Sequence, residues 1–318
     1  IVGESLALLS ACCFAAANVT IVRGAKSQDN GAFLSILMTA VIAGAAWIYG
    51  GLREGWPQVN AVGMLWFAAA GVLTIFIGRV FLFASVQHLG AVQASAVKRL
   101  NPFFSVLLGV LVLGEPFDSI MMIGMLLIFS SFGVLLKQSM APTSGSATPT
   151  NGSATPRSSG SESAARSWAA KLTNLGFFYG PVSALAYATG YVARKQGLIA
   201  LPDPAFGTML GSVIGAVFFV LAAQFVDSYR HAVRNALTTF SPWLFATGVL
   251  SSMGQLLYFM ALSHSTISRV ALISSMEVFV TIFLTVVIFR SREQLSVPVL
   301  LAAGLGVAGT AFIVLHGG

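Results

Sequence analysis

Residues 71–116 read GVLTIFIGRVFLFASVQHLGAVQASAVKRLNPFFSVLLGVLVLGEP, two apolar spans joined by the polar corner Gln87-His88-Leu89-Gly90. Arg79 sits in the first span, Lys98 and Arg99 precede Leu100-Asn101-Pro102 in the second, and Gly114-Glu115-Pro116 closes it. A segment this apolar belongs in a bilayer, where no water solvates a cation and every backbone polar group needs an internal partner. Three cations and an Asn-Pro pair at that depth demand a reason. The stretch from Ser252 to Glu293 repeats the design with different charges.

Composition agrees. Of 318 residues, 56% are hydrophobic and only 8% charged, against about a quarter in a soluble domain, so the chain is a membrane protein. The net charge of +7 invites a nucleic-acid partner, but the cations are scattered through short loops or buried, and no basic patch forms. Nucleic acid is therefore excluded as a partner. Cys12 and Cys13 are adjacent in an apolar span and imply neither a disulfide nor a metal site; no cofactor is expected. Residues 5–22 are apolar like a signal peptide's core, yet no basic region precedes them and no small-residue cleavage site follows before Arg23, so they read as a first membrane span.

Windows long enough to cross a bilayer as helix fall at 4–22, 31–51, 61–87, 91–113 and 119–137, and again at 173–193, 204–226, 242–263, 268–289 and 296–315. The expected fold is an all-α polytopic membrane protein with ten transmembrane helices. Residues 1–137 and 173–318 form two five-helix repeats, and 138–172 a Gly/Ser/Pro-rich linker with nothing to bury. The halves read as copies: Gly71-Val72-Leu73 corresponds to Gly248-Val249-Leu250, Ala84 to Ala261, and Leu100-Asn101-Pro102 to Glu277-Val278-Phe279. Five spans per copy is an odd number, so the second enters the membrane inverted, the arrangement in which secondary transporters bind substrate at the repeat interface. Loop cations place the linker in the cytoplasm and both termini outside. Gly207, Gly211 and Gly215 form a small-xxx-small ladder for helix packing, with a shorter one at Ala302 and Gly306.

Few residues can carry chemistry. Glu277 is the one acid well inside a span, on a face with Ser274 and Thr281, and is the candidate to carry a coupling proton or to face a bound cation. Its structural alternative is an ion pair with Arg79, Lys98 or Arg99. Lys98 and Arg99 lie roughly 10 Å into the fourth span at the helical rise, and Pro102 frees the carbonyl of Lys98 from its helical partner. Lys98, Asn101 or Pro102, and Ser105 make one polar stripe. Arg79, Lys98, Arg99, Asn101 and Pro102 are thus candidates to cradle substrate, or else a kinked helix with paired charges. Three deep cations against one deep carboxylate favour a substrate bearing a carboxylate, phosphate or sulfonate. Asn18, Thr20, Gln87, Ser252, Gln255 and Tyr258 are candidate pore-lining hydrogen-bonders, and Tyr187 and Tyr191, one turn apart, a candidate aromatic wall. Arg194 and Lys195 read as span-end cations of lesser importance.

The Ala-rich start of the fourth span (Gly90 to Ala96), Asn101-Pro102-Phe103, Leu113-Gly114-Glu115, and in the second half Ala261-Leu262 and Glu293 resemble the EamA-like permeases of the drug/metabolite transporter superfamily. The resemblance covers nearly the whole chain except the linker. It implies a central cavity between the halves, alternating access, and export or exchange of small metabolites such as amino acids across a bacterial or archaeal plasma membrane. It carries over Asn101 and Pro102 as the kinked mid-span site, and Glu115 and Glu293 as helix-end residues that organise a loop. Two departures stand out. Val278-Phe279 replaces the expected proline in the second half, and family members keep their termini in the cytoplasm, against the loop charges here.

An intramembrane enzyme would need facing carboxyls, a HExxH zinc motif or a Gly-x-Ser-x-Gly elbow, none of which occurs, so no enzyme activity is expected. A receptor or scaffold would leave the repeat and the deep cations without purpose. The partners expected are a small-molecule substrate, protons as the coupling ion weighed, and the lipid bilayer; one chain can hold a complete pathway, so a monomer is permitted. A proton-coupled exporter of cationic compounds and a channel-like uniporter are the alternatives on this fold.

Overall fold

The computed structural model describes residues 2–24, 31–78, 81, 100–140, 175–238, 240–289 and 297–316. In the first half they form α1 (Val2–Gly24), α2 (Ala32–Glu54), α3 (Ala61–Gly71, continuing as a π-helix over Val72–Gly78), α4 (Asn101–Leu113) and α5 (Ser119–Met140). The second half comprises α6 (Leu175–Ala200), α7 (Pro204–Ala222), α8 (Asp227–Thr238), α9 (Pro242–His264), α10 (Ile267–Ser274), α11 (Glu277–Phe289) and α12 (Val297–His316). Arg79, Gln87, Lys98, Arg99, Glu293 and the linker from 141 onward lie outside the described residues; α5 runs three residues past the expected boundary at 137.

Helix occupies part of each of the ten expected spans. Among the described residues, six stretches are long and apolar enough to cross a membrane: 2–20, 32–54, 61–78, 204–222, 242–264 and 267–284. Shorter apolar helices cover Asn101–Leu113, Met121–Ser131 and Gly304–Leu315. The protein is thus polytopic, and ten complete crossings go beyond what these helices show.

Several starts are capped by short polar side chains. Asn60 accepts from the Val62 amide (2.9 Å), Asp118 from Met121 (2.7 Å) and Asp203, ahead of Pro204, from Phe206 (2.9 Å). Each satisfies an amide that the first helical turn leaves without a partner.

The halves are interleaved. α1 packs on α9, α10 and α11 of the opposite half, and α6, its counterpart in the second repeat, packs on α3 and α4 of the first. α2 lies against α7 and α9, while α5 and α12 pair at the periphery. The glycine ladder of α7 seats α3 residue by residue: a Cβ on Gly207 would meet the Phe67 ring, on Gly215 the Ile75 side chain, and Gly211 faces Gly71. Gly306 similarly receives the Phe279 ring. Thr20 and Thr247 share a hydrogen bond (2.8 Å), as do Thr39 and Ser252 (2.9 Å), so Thr20 and Ser252 tie α1 and α2 to α9.

Two elements differ from the sequence reading. The ninth span breaks at Ser275-Met276 without any proline. Ser275 Oγ donates to the Leu272 carbonyl (2.5 Å), and the backbone tightens, with the Met276 amide reaching Ile273 (3.0 Å). A serine hydroxyl competing for backbone carbonyls favours such a tightened turn. α11 therefore starts at Glu277, matching the start of α4 at Asn101, where Pro102 occupies the first turn and the missing amide costs nothing. The second is α8. Tyr229, Ala232, Val233 and Ala236 recur at helical spacing and pack with Phe33, Ile36 and Phe219.

Candidate functional site

The site forms where α6 crosses α3 and α9. Gly190 and Gly197 let α6 approach closely, since a Cβ at 190 would strike Thr74 and one at 197 the Phe67 ring. The π-helical turn presents Thr74, whose hydroxyl donates to the Ala70 carbonyl (2.7 Å) and accepts from Arg194 Nη2 (3.1 Å). Wide turns of this kind concentrate at functional positions.

Arg194 is the centre. Its side chain is buried, with 3% of the residue exposed. The guanidinium lies 4.7 Å from the Phe259 ring centroid and 5.6 Å from that of Tyr191, a cation–π arrangement on two faces. With its amide oxygen turned inward, Gln255 accepts from both Nη1 and Nη2. Among the described residues no carboxylate reaches Arg194, and its Nε has no acceptor. Tyr258, one turn beyond Gln255 on α9, also has a buried hydroxyl with no partner among the described residues. Removing a guanidinium from water without a counter-charge costs several kcal/mol, and polar groups buried at such cost in a membrane protein mark function.

Aromatic rings line the cluster. Tyr191 stacks on Tyr258 with centroids 4.8 Å apart, and Tyr187 lies 6.5 Å from Tyr191. Asn101, at the start of α4, directs Nδ2 toward the Tyr191 hydroxyl (3.5 Å) and accepts from Ser105 (3.3 Å). Among the sequence candidates, Asn101, Tyr187, Tyr191, Gln255 and Tyr258 therefore gather around one cation from three helices. Pro102 is the next residue of α4 and is half-buried.

Arg194 corrects the sequence reading. It sits six residues before the end of α6, fully enclosed, rather than at a span end. A signal was present: Tyr187, Tyr191 and Arg194 fall at i, i+4 and i+7, one helical stripe. Lys195 likewise points inward, donating to the carbonyls of Leu262 (2.6 Å) and Ser265 (2.8 Å) at the C-terminal end of α9. A cation there complements the helix dipole.

Glu115 holds the other side of that corner. Gly114 adopts a left-handed φ of 64° and turns the chain back, so that the Glu115 amide bonds the Gly109 carbonyl (3.1 Å). The Glu115 carboxylate then accepts from the amides of Ile267 (2.5 Å) and Ser268 (3.0 Å) and from the Ser268 hydroxyl (2.5 Å). A carboxylate of the first half thus caps α10 of the second.

Glu277 stands apart. Its Oε1 accepts from Asn18 Nδ2 (2.7 Å) between α11 and α1, and Arg194 is not among its partners. Ser274, on the same face, keeps a buried hydroxyl without a partner among the described residues.

An interleaved polytopic helical fold with a buried polar centre built from both halves is the architecture of a membrane transporter. The EamA-like transporter family profile matches residues 1–137 and again 174–315, and the chain belongs to that family, part of the drug/metabolite transporter superfamily. No curated protein matches the chain. Among solved structures, one described only as a crystal structure of a protein matches with a TM-score of 0.64 and 17% identity over 98% of each chain. That likeness concerns the fold alone.

Proposed function

We propose that this protein is a secondary transporter of small organic metabolites bearing an anionic group, amino-acid-like or organic-anion in class, working by alternating access as an exporter or exchanger. The observation that carries the reading is Arg194, buried between the halves with no carboxylate among the described residues beside it. Its Nε and the Tyr258 hydroxyl are donors with no acceptor among the described residues, suited to a carboxylate, and Tyr187, Tyr191 and Phe259 offer apolar faces to the rest of a small molecule. No catalytic step is part of this reading, and a bacterial or archaeal plasma membrane is the proposed location.

The test is a thermal-shift screen of the purified chain against anionic, zwitterionic and cationic metabolites, since a ligand that binds only the folded state raises the melting temperature by mass action. Stabilisation by an anionic or zwitterionic class should vanish in Arg194→Gln and persist in Arg53→Gln, which removes an exposed cation beside Tyr49. Equal loss in both variants would refute the site.

The Asn18–Glu277 pair supports a second reading, a proton-coupled exporter of cationic compounds in which the basic residues are structural. Stabilisation by lipophilic cations, lost in Glu277→Gln, would select it.

A further inference from the structure

The charge of Arg194 constrains the transport cycle as well as the substrate. Gln255 and Thr74 satisfy donors of the guanidinium but bring no negative charge. Phe259 and Tyr191 shield it from water. These residues therefore enclose a cation that no described carboxylate neutralises; Glu115 is committed to the α10 amides and Glu277 bonds Asn18. Any alternating-access cycle passes through a state in which this centre is sealed from both sides. With a carboxylate bound, the sealed centre is an ion pair; without one, it is a bare buried charge. Removing one partner of a buried pair lowers the population of the sealed state by a factor of about a hundred or more.

We infer that the substrate's carboxylate is the counter-charge required for the centre to seal, and that the protein is an obligate exchanger whose empty form scarcely reorients. This rests on the proposed transport of a carboxylate-bearing metabolite at Arg194. It also separates the protein from a channel-like uniporter, which needs no loaded return step.

The experiment uses the full chain in phosphatidylethanolamine/phosphatidylglycerol vesicles loaded with a radiolabelled amino-acid mixture, diluted into buffer with or without the unlabelled mixture. Efflux should be about tenfold faster or more with the mixture outside. Gln255→Glu supplies a carboxylate from the chain itself, so the empty form can seal and the two rates should converge to within about twofold. Arg194→Lys, which keeps the charge, should retain the dependence. Equal efflux under both conditions in the unaltered protein would overturn obligate exchange while leaving the transport reading intact. A dependence that survives in Gln255→Glu would also overturn it. Absence of labelled efflux in every condition would overturn the amino-acid-like reading, and this inference with it.

Discussion

Arg194 and Lys195 are consecutive residues of α6 whose charges are spent on different tasks: Arg194 faces Gln255 and Thr74 within the bundle, and Lys195 grips the last carbonyls of α9. One helix thus bears the cation buried among Tyr191, Gln255 and Phe259 and, one residue later, the cation that fixes the corner between α9 and α10.

That division predicts separable effects. Lys195→Met should lower unfolding stability by about 2 kcal/mol, since two charge-assisted hydrogen bonds vanish, while the ligand concentration for half-maximal thermal shift changes less than about twofold. Arg194→Gln should do the reverse. Melting curves at increasing ligand concentration measure both quantities.

Glu115 should be among the least replaceable acids. Glu115→Gln keeps the shape but removes the charge that three donors share, and should cost about 3 kcal/mol. Gly109→Ala should act in the same direction, because a Cβ there would sit 2.6 Å from Glu115 Oε2 and 2.7 Å from Ser268 Oγ. If Gly109→Ala melts like the unaltered protein, the cap is not as tight as described.

The crossing of α3 and α7 is asymmetric at its tightest point. A Cβ on Gly71 would collide with the Gly211 backbone, whereas a Cβ on Gly211 would find its nearest neighbours at 3.5 and 3.6 Å. Gly71→Ala should therefore destabilise by about 2 kcal/mol or more, and Gly211→Ala should be neutral or gain up to about 1 kcal/mol from helix propensity. Thermal melts of the two variants decide this.

Tyr258→Phe should separate folding from binding. Its buried hydroxyl has no partner among the described residues, so its removal should leave stability unchanged or raise it by about 1 kcal/mol, yet weaken the ligand-induced shift. A variant with an unaltered ligand response would remove Tyr258 from the site.

Much of the architecture was legible because bilayer helices need long apolar runs, and because Gly207, Gly211 and Gly215 state their packing role in their spacing. Asn101, Gln255 and the three tyrosines could be picked out as polar groups in apolar spans. Arg194 could not be placed the same way: next to Lys195 and near the end of its span it reads as a pair of interfacial cations, and only the stripe it shares with Tyr187 and Tyr191 points inward. The break at Ser275 was hidden because a hydroxyl leaves less trace in sequence than a proline. α8 leaves no membrane-span signal in the sequence because its twelve residues are mostly polar and too few to span.

The interleaving of the halves has a consequence for biogenesis. α1 is translated before the surfaces it packs against, α9, α10 and α11. Its small-residue face, with Ala7, Ala11 and Ala15 wholly buried in the finished protein, must wait in the membrane for partners not yet translated. Each repeat buries its faces largely against the other, so contacts that hold α1 can form only after the second repeat has been made.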